Sequence, residues 1–280
     1  MKRMVCFFLL SAAVFVILFP ILFIFCGSMM GEAELTENLY SVLDAGAKGF
    51  AAWTLFPKDW TLESYKELFL YEPGYFTLFW NSVKISLGVL TGQILFAVPA
   101  AWGFARYRFR GKRVLFGMYI LFMMLPFQVL MLPEYLVLSK LELIDTLWAI
   151  ILPGIFSTFP VFILYNFFSS ISQDVIDAAR MDGAGEFMIF VQIGIPQAMP
   201  GIASVLVLQF LEYWNLIEQP MLFIQRKELY PLSLYLPNVQ LENVGVSFVA
   251  AFIALIPPVL LFRGGQEYLE KGIAATSVKR

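Results

Sequence analysis

Histidine is absent from this chain of 280 residues. That removes Ser-His and Cys-His nucleophiles, histidine zinc ligands and histidine proton relays in one step. The two cysteines, Cys6 and Cys26, share one apolar run. On a helix they stand roughly 30 Å apart, too far to pair, and read as apolar packing. No G-x-x-x-x-G-K-[ST] occurs, so the chain encodes no P-loop for ATP. One acid falls deep in an apolar stretch. Glu212 lies ~18 Å along a helix beginning near residue 199. A carboxylate at that depth must face a protein interior, a partner subunit or water. Gln209, Trp214 and Asn215 lie close by. Amides and aromatic faces can line a substrate path; equally, Trp214 fits an interfacial belt and Asn215 an interhelical hydrogen bond.

A second group sits between two apolar stretches, at residues 169–198. Ser172 is an N-cap candidate for a helix through Met181, and Asp174 and Asp177 stand in its early turns, where the helix dipole favours negative charge. Gly183 and Gly185 can end that helix. The apolar run 187–195 that follows is too short to span a membrane and is stopped by Pro196, with Pro200 restarting a helix. The expected form is a short helix, a glycine turn, an amphipathic helix and a proline corner. Such a plug can be an elbow between spans, or a rigid lever seated in a partner's groove.

The elements around these groups follow from composition. The chain is 60% hydrophobic and 14% charged, with mean hydropathy +0.76; soluble domains run at about 25% charged. A soluble globular protein and a disordered one are both excluded. The net charge of −2 calls for no nucleic acid. Six stretches have the ~20 apolar residues a spanning helix needs: 4–26, 85–105 (starting near residue 79), 114–133, 147–168, 199–220 and 244–262. The first is longer than the ~7–15 residues of a signal h-region, so it reads as an uncleaved helix.

Orientation follows from the cations. Arg106, Arg108, Arg110, Lys112 and Arg113 crowd one short loop. With both termini on that side, Lys2, Arg3, Arg180, Arg263, Lys271, Lys279 and Arg280 join them, against Lys48, Lys58, Lys66, Lys140, Arg226 and Lys227 outside. Both termini are therefore expected in the cytoplasm. The first outer loop, 27–74, carries Glu32, Glu34, Glu37, Asp44, Asp59, Glu63, Glu67 and Glu72. Within it Thr61 can cap a short helix with Leu62, Tyr65, Leu68 and Phe69 on one face, for interfacial anchoring or for an external partner. The second outer loop, 134–146, is short; the third, 221–243, is turn-rich around Tyr230, Pro231 and Pro237.

The 169–198 loop resembles a known pattern: EAA, three residues, G, nine residues, I-x-L-P. Asp177-Ala178-Ala179 fills the first part with Asp for Glu, Gly183 follows, and Ile193, Ile195 and Pro196 complete it with Ile for Leu. Asp182-Gly183-Ala184 supplies the usual DGA. This is the signature of membrane subunits of binding-protein-dependent ABC importers, and the chain is most similar to the maltose-permease-like second subunit of the carbohydrate branch. Asn81-Ser82, the segment from Ala100 through Arg106 to Phe109-Arg110-Gly111-Lys112, Met124-Leu125-Pro126 with Gln128, Phe210 with Trp214-Asn215 and Pro220, and the tail from Gln266 through Lys271-Gly272 to Lys279 are like that branch. Departures are Gln173, where Pro is common, Arg263 near the end of the sixth span, and the long first outer loop.

The resemblance implies an all-α polytopic membrane protein with six transmembrane helices in the ABC type-1 importer permease (MetI-like) fold. It implies an N-terminal helix and outer loop at 1–75, a five-helix permease core at 76–268 and a tail at 269–280. It further implies a non-catalytic permease subunit in the cell membrane, paired with a second permease subunit, two ATP-binding ABC subunits and an extracytoplasmic solute-binding protein. The chain itself would bind no cofactor, ATP and Mg being used by the ATPase partners. The residues carried over to the ATPase contact are Asp177, Ala178, Ala179, Arg180, Asp182, Gly183, Ala184 and Pro196, with Arg180 and Asp182 either in charged contacts or solvated. Two rivals remain. An ion-gradient transporter of a small solute needs ionisable groups in several spans and a repeat; a membrane-embedded enzyme needs a catalytic cluster at one depth.

Overall fold

A computed structural model describes residues 2–43, 50, 54–235 and 243–277. Asp44, Lys48, Pro237, Lys279 and Arg280, used in the charge and turn readings, lie outside the described residues. The helices are α1 Lys2–Gly27, α2 Glu32–Leu43, α3 Glu63–Tyr71, α4 Pro73–Arg106, α5 Lys112–Met123, α6 Phe127–Lys140, α7 Trp148–Ile155, α8 Thr158–Ser170, α9 Gln173–Met181, α10 Glu186–Ile189, α11 Ile195–Trp214, α12 Glu218–Phe223 and α13 Val244–Ser277. Between α10 and α11 lies a π turn, Phe190–Gly194. Among the described residues there is no β-strand, only an isolated bridge between Met30 and Trp60. Five helical stretches are long and apolar enough to cross a membrane, and six if the bent pair α5–α6 counts as one.

Several boundaries differ from the sequence reading, mostly at prolines. The second span begins at Pro73 rather than near residue 79; Pro73 takes the first helical position, where its missing N–H costs nothing. The third span, expected as one helix over 114–133, is two helices bent by 108°. Pro126 forces the break: it is extended at ψ 149°, and it disfavours helical backbone at Leu125 before it. Consequently Glu134, expected at the start of a loop, lies within α6. The fourth span divides at Phe156 and Ser157, because Pro160 offers no N–H to the Phe156 carbonyl and crowds it. The fifth ends at Trp214, short of residue 220.

The expected corner at Pro196 does not form. Residues from Glu186 to Trp214 run as one helical stretch. The π turn makes this possible: the Ile195 N–H reaches back five residues to the Phe190 carbonyl, and this wider turn leaves room for a residue that lacks a donor.

The chain divides into two compact units, residues 1–79 with 232–257 and residues 80–231 with 258–280. In the first, α1 presents a largely bare apolar surface, with Phe7, Phe8, Phe15 and Ile17 exposed, as a lipid-facing helix requires. Glu32, counted among the outer acids, caps α13: its carboxylate accepts the Val244 and Gly245 N–H groups at 3.0 and 2.9 Å, where the helix dipole favours an anion. In α3, Thr61 Oγ1 accepts the Glu63 N–H at 3.2 Å. Leu68 is buried there, while Leu62 and Phe69 stay exposed. Tyr75 donates its hydroxyl to the Ala250 carbonyl at 3.0 Å.

In the second unit the main apolar core draws on Val98, Ala101, Trp102, Leu164, Phe168, Ile176, Ile189 and Ala198. A polar clasp joins the loop before α7 to the segment after α12. The Asp145 carboxylate accepts the Gln225 and Arg226 N–H groups, both at 2.9 Å, and Arg226 Nε at 2.8 Å. These hydrogen bonds hold the Asp145 carboxyl below its usual range, the two backbone donors first. A depressed carboxylate contributes stability that is fully present above the unfolded value, about 3.9, and lost as pH falls through the lower folded one. Asp145→Asn, which also tolerates the positive φ of 63° at this site, is therefore expected to lower the melting temperature of detergent-purified protein at neutral pH. The gap to wild type should close on acidification; a gap that persists at the acid end would show that the charge is not what the clasp uses.

Candidate functional site

The 169–198 loop is a built object. α8 stops at Ser170, and Ile171 and Ser172 are extended. Ser172 Oγ then accepts the Asp174 N–H at 3.2 Å and caps α9. At the other end Gly183 has φ +86°. The Ala184 N–H returns to the Ala179 carbonyl and the Gly183 N–H to the Arg180 carbonyl, both at 3.0 Å, which is a Schellman ending. Glycine suits that position because most side chains at that φ are strained. Both predicted ends of α9 thus stand where Ser172 and Gly183 put them.

One face of α9 is anchored and the other is bare. Ile176 is 1% exposed and lies in the main core with Ile189, and Ala179 and Ala184 pack against it. Ala178, Asp177 and Asp182 face outward. Arg180 is held within the loop: Nη1 pairs with Asp177 at 3.1 Å and Nε with Glu186 at 2.8 Å, and Tyr107 donates its hydroxyl to the same Glu186 at 3.3 Å. The Glu186 hydrogen bond, then its charge, then Asp177 raise the Arg180 pKa. Exposed pairs of this kind add little stability; with Asp177 before the glycine turn and Glu186 after it, they bridge the turn. Beside the turn, Met181 is 89% and Phe187 78% exposed. Sequence reading passed over both, because apolar side chains near an apolar run suggest a core.

Beneath the loop Arg106 donates through Nη2 to the Phe168 and Ile171 carbonyls at 2.6 and 2.7 Å, satisfying the end of α8. Its guanidinium lies 5.4 Å from the Trp102 ring centre. Trp102 in turn meets Phe168 at 5.3 Å and Phe190 at 5.6 Å. Gly194 lies against the same ring; a Cβ there would come within 2.7 Å of Trp102 Cζ3. Pro196 is exposed at the start of α11.

At the far end of α11 is a cavity of about 670 Å³, walled by α5, α6, the α7–α8 break, α11 and α12. Glu212 lines it, as do Glu134, Tyr213, Gln219, Phe127, Phe156 and Phe159. Gln209, 1% exposed, lies behind it. Its Nε2 donates to Glu212 Oε2 at 2.7 Å, and its Oε1 accepts Gln93 Nε2 at 2.7 Å. Gln93 Nε2 also donates to the Gly154 carbonyl at 2.9 Å. A chain of amides from α4 therefore sets the pose of Glu212. Trp214 is buried and stacked on Phe210 at 5.3 Å, and Asn215 Nδ2 donates to the Leu211 carbonyl at 2.8 Å; neither lines this cavity. Glu134 and Gln219 were not anticipated: Glu134 reaches the wall on α6 beyond the bend at Pro126, and Gln219 on α12 beyond the end of α11.

The model of the family described as binding-protein-dependent transport system inner membrane component matches residues 93–275. The arabinooligosaccharides transport system permease protein AraQ of Bacillus subtilis (strain 168) is 30% identical over 266 residues, covering 94% of this chain and 90% of the relative. Its namesake in Halalkalibacterium halodurans is 28% identical over 268 residues, covering 95% and 92%. Among solved structures, a chain of a bacterial ABC transporter involved in the import of the acidic polysaccharide alginate superposes with a TM-score of 0.79 at 25% identity, covering 95% of this chain and 96% of that one.

Proposed function

This chain belongs to the family of binding-protein-dependent transport system inner membrane components, and from that premise we propose that it is the permease subunit through which an ATP-driven saccharide importer converts nucleotide binding into opening of its path. It pairs with a second, similar permease subunit. Two ATPase subunits, which bind the ATP and Mg, grip the loop formed by α9 and the glycine turn from the cytoplasm. A solute-binding protein delivers the cargo on the other side. The names of the relatives support saccharide as the cargo class, and the five cations at Arg106, Arg108, Arg110, Lys112 and Arg113 support the orientation.

The observation that carries this reading is the unbroken helical stretch Glu186–Trp214. Ile189, in the core under α9, and Glu212, in the cavity wall, are ~35 Å apart on that one rod. A push on the knob is transmitted because Ile176, Trp102, Phe168 and Phe190 belong to one core, with ring contacts from Trp102 through Phe168 to Phe190, and packed cores transmit displacement. Closing of the ATPase dimer then tilts α11 and changes the cavity. Asp177, Ala178, Asp182 and Gly183, together with exposed Met181 and Phe187, form the gripped surface; Arg180 keeps its shape.

The test is crosslinking in the assembled importer. Met181→Cys, in a chain whose Cys6 and Cys26 are replaced by alanine, is expected to crosslink to an ATPase subunit, with a yield that changes when ATP is added. If neither Met181→Cys nor Phe187→Cys captures an ATPase subunit, the lever reading is wrong.

A further inference from the structure

We propose that the cavity at the end of α11 is a charge filter: Glu134 and Glu212 admit uncharged and amino-bearing saccharides and reject acidic ones. This rests on the reading of the chain as an importer permease, and goes beyond it by naming the class of saccharide. The cavity wall contains two carboxylates and, among the described residues, neither lysine nor arginine. The Ser157, Thr158 and Tyr213 hydroxyls and the Gln219 amide also line it and can donate as well as accept, so the selective element is the pair of carboxyl groups. Glu134 Oε1 and Gln219 Oε1 are shut off from solvent without a hydrogen-bond partner among the described residues. Glu212 has one oxygen committed to Gln209, which leaves the other for an occupant. Tyr213, 6% exposed, adds its ring to the same wall.

An unsatisfied buried acceptor demands a donor. Sugar hydroxyls and ammonium groups supply donors. A uronate carboxylate supplies none and brings a negative charge up to two carboxyl groups with no cation among the wall's described residues to offset it. The ring faces of Phe127, Phe156 and Phe159 suit the apolar faces of sugar rings. The Gln93–Gln209 chain makes the filter stiff: with its amides fixed by Gly154 and by each other, Glu212 cannot swing away from an approaching anion.

Saturation-transfer NMR on the complete purified importer, with maltotriose, a glucosamine trimer and trigalacturonate as separate probes, tests this. Transfer is expected to the neutral and amino probes and to be at least tenfold weaker to trigalacturonate. In the double variant Glu134→Gln with Glu212→Gln the difference should shrink several-fold, the amino probe losing most. Equal transfer to trigalacturonate in wild type overturns the filter, as does a difference unchanged in the double variant, or transfer to none of the three. ATPase turnover in the same preparation reads the underlying assignment separately. Coupled turnover without charge selection sinks only the filter, whereas failure of any ATPase subunit to assemble sinks the permease reading itself.

Discussion

Gly183→Val is expected to leave the protein inserted in the membrane at normal levels while ATP-driven uptake falls at least tenfold. A Cβ at this position meets nothing within 4 Å, so crowding is not the cause. The cause is the backbone: at φ +86° an L-residue costs about 1–2 kcal/mol, more when β-branched. That is enough to cut the population of the closed turn roughly 5- to 30-fold. With the turn opened, the hydrogen bonds from Ala184 to Ala179 and from Gly183 to Arg180 are lost, α9 frays, and Met181 and Phe187 no longer share one surface. Gly183→Asn separates this from any role of the missing side chain, because asparagine visits the left-handed region readily. It should retain most of the uptake. Wild-type transport by the valine variant, at matched expression, would remove the turn from the mechanism.

Trp102→Ala is expected to be the most destabilising single change in the second unit. Truncating a buried tryptophan usually costs about 3–5 kcal/mol, and here one ring serves four neighbours: Phe168, Phe190, the Arg106 guanidinium and the backbone at Gly194. Removing it frees Arg106 from its place over the ring and loosens the seat of α9. Two readouts should move together, a large drop in the thermal midpoint of detergent-purified protein and uncoupling of ATP hydrolysis from uptake. Trp102→Phe, which preserves an aromatic ring, should recover most of both. A stable but uncoupled Trp102→Ala protein would mean that the ring transmits motion without supporting the fold.

The parts of this architecture that could be read in advance are those written in local chemistry. Apolar length marks the spans, because lipid sets a minimum for a helix that crosses it. Ser172 and Gly183 mark α9, because capping and left-handed backbone are properties of single residues. The prolines misled where tertiary context decides what a proline does. Pro126 breaks a span that composition alone makes continuous, whereas Pro196 breaks nothing, since the π turn before it absorbs the missing donor. The cavity was half legible. Glu212 announced itself as an acid in an apolar stretch, but Glu134 was assigned to a loop because the reach of α6 past Pro133 cannot be read from hydropathy. Trp214 and Asn215, near Glu212 in sequence, point elsewhere on the helix, Trp214 into packing with Phe210.

The π turn at Phe190–Gly194 holds one residue more than an α-turn would. It therefore works as a clocking device between the two ends of the rod. Deleting that residue would rotate everything upstream by ~100° and draw it ~1.5 Å along the axis, while Glu212 kept its bearing. Ile189 upstream would then turn out of the core it fills with Ile176, so the extra residue is what lets one rod meet its core at one end and the chamber at the other.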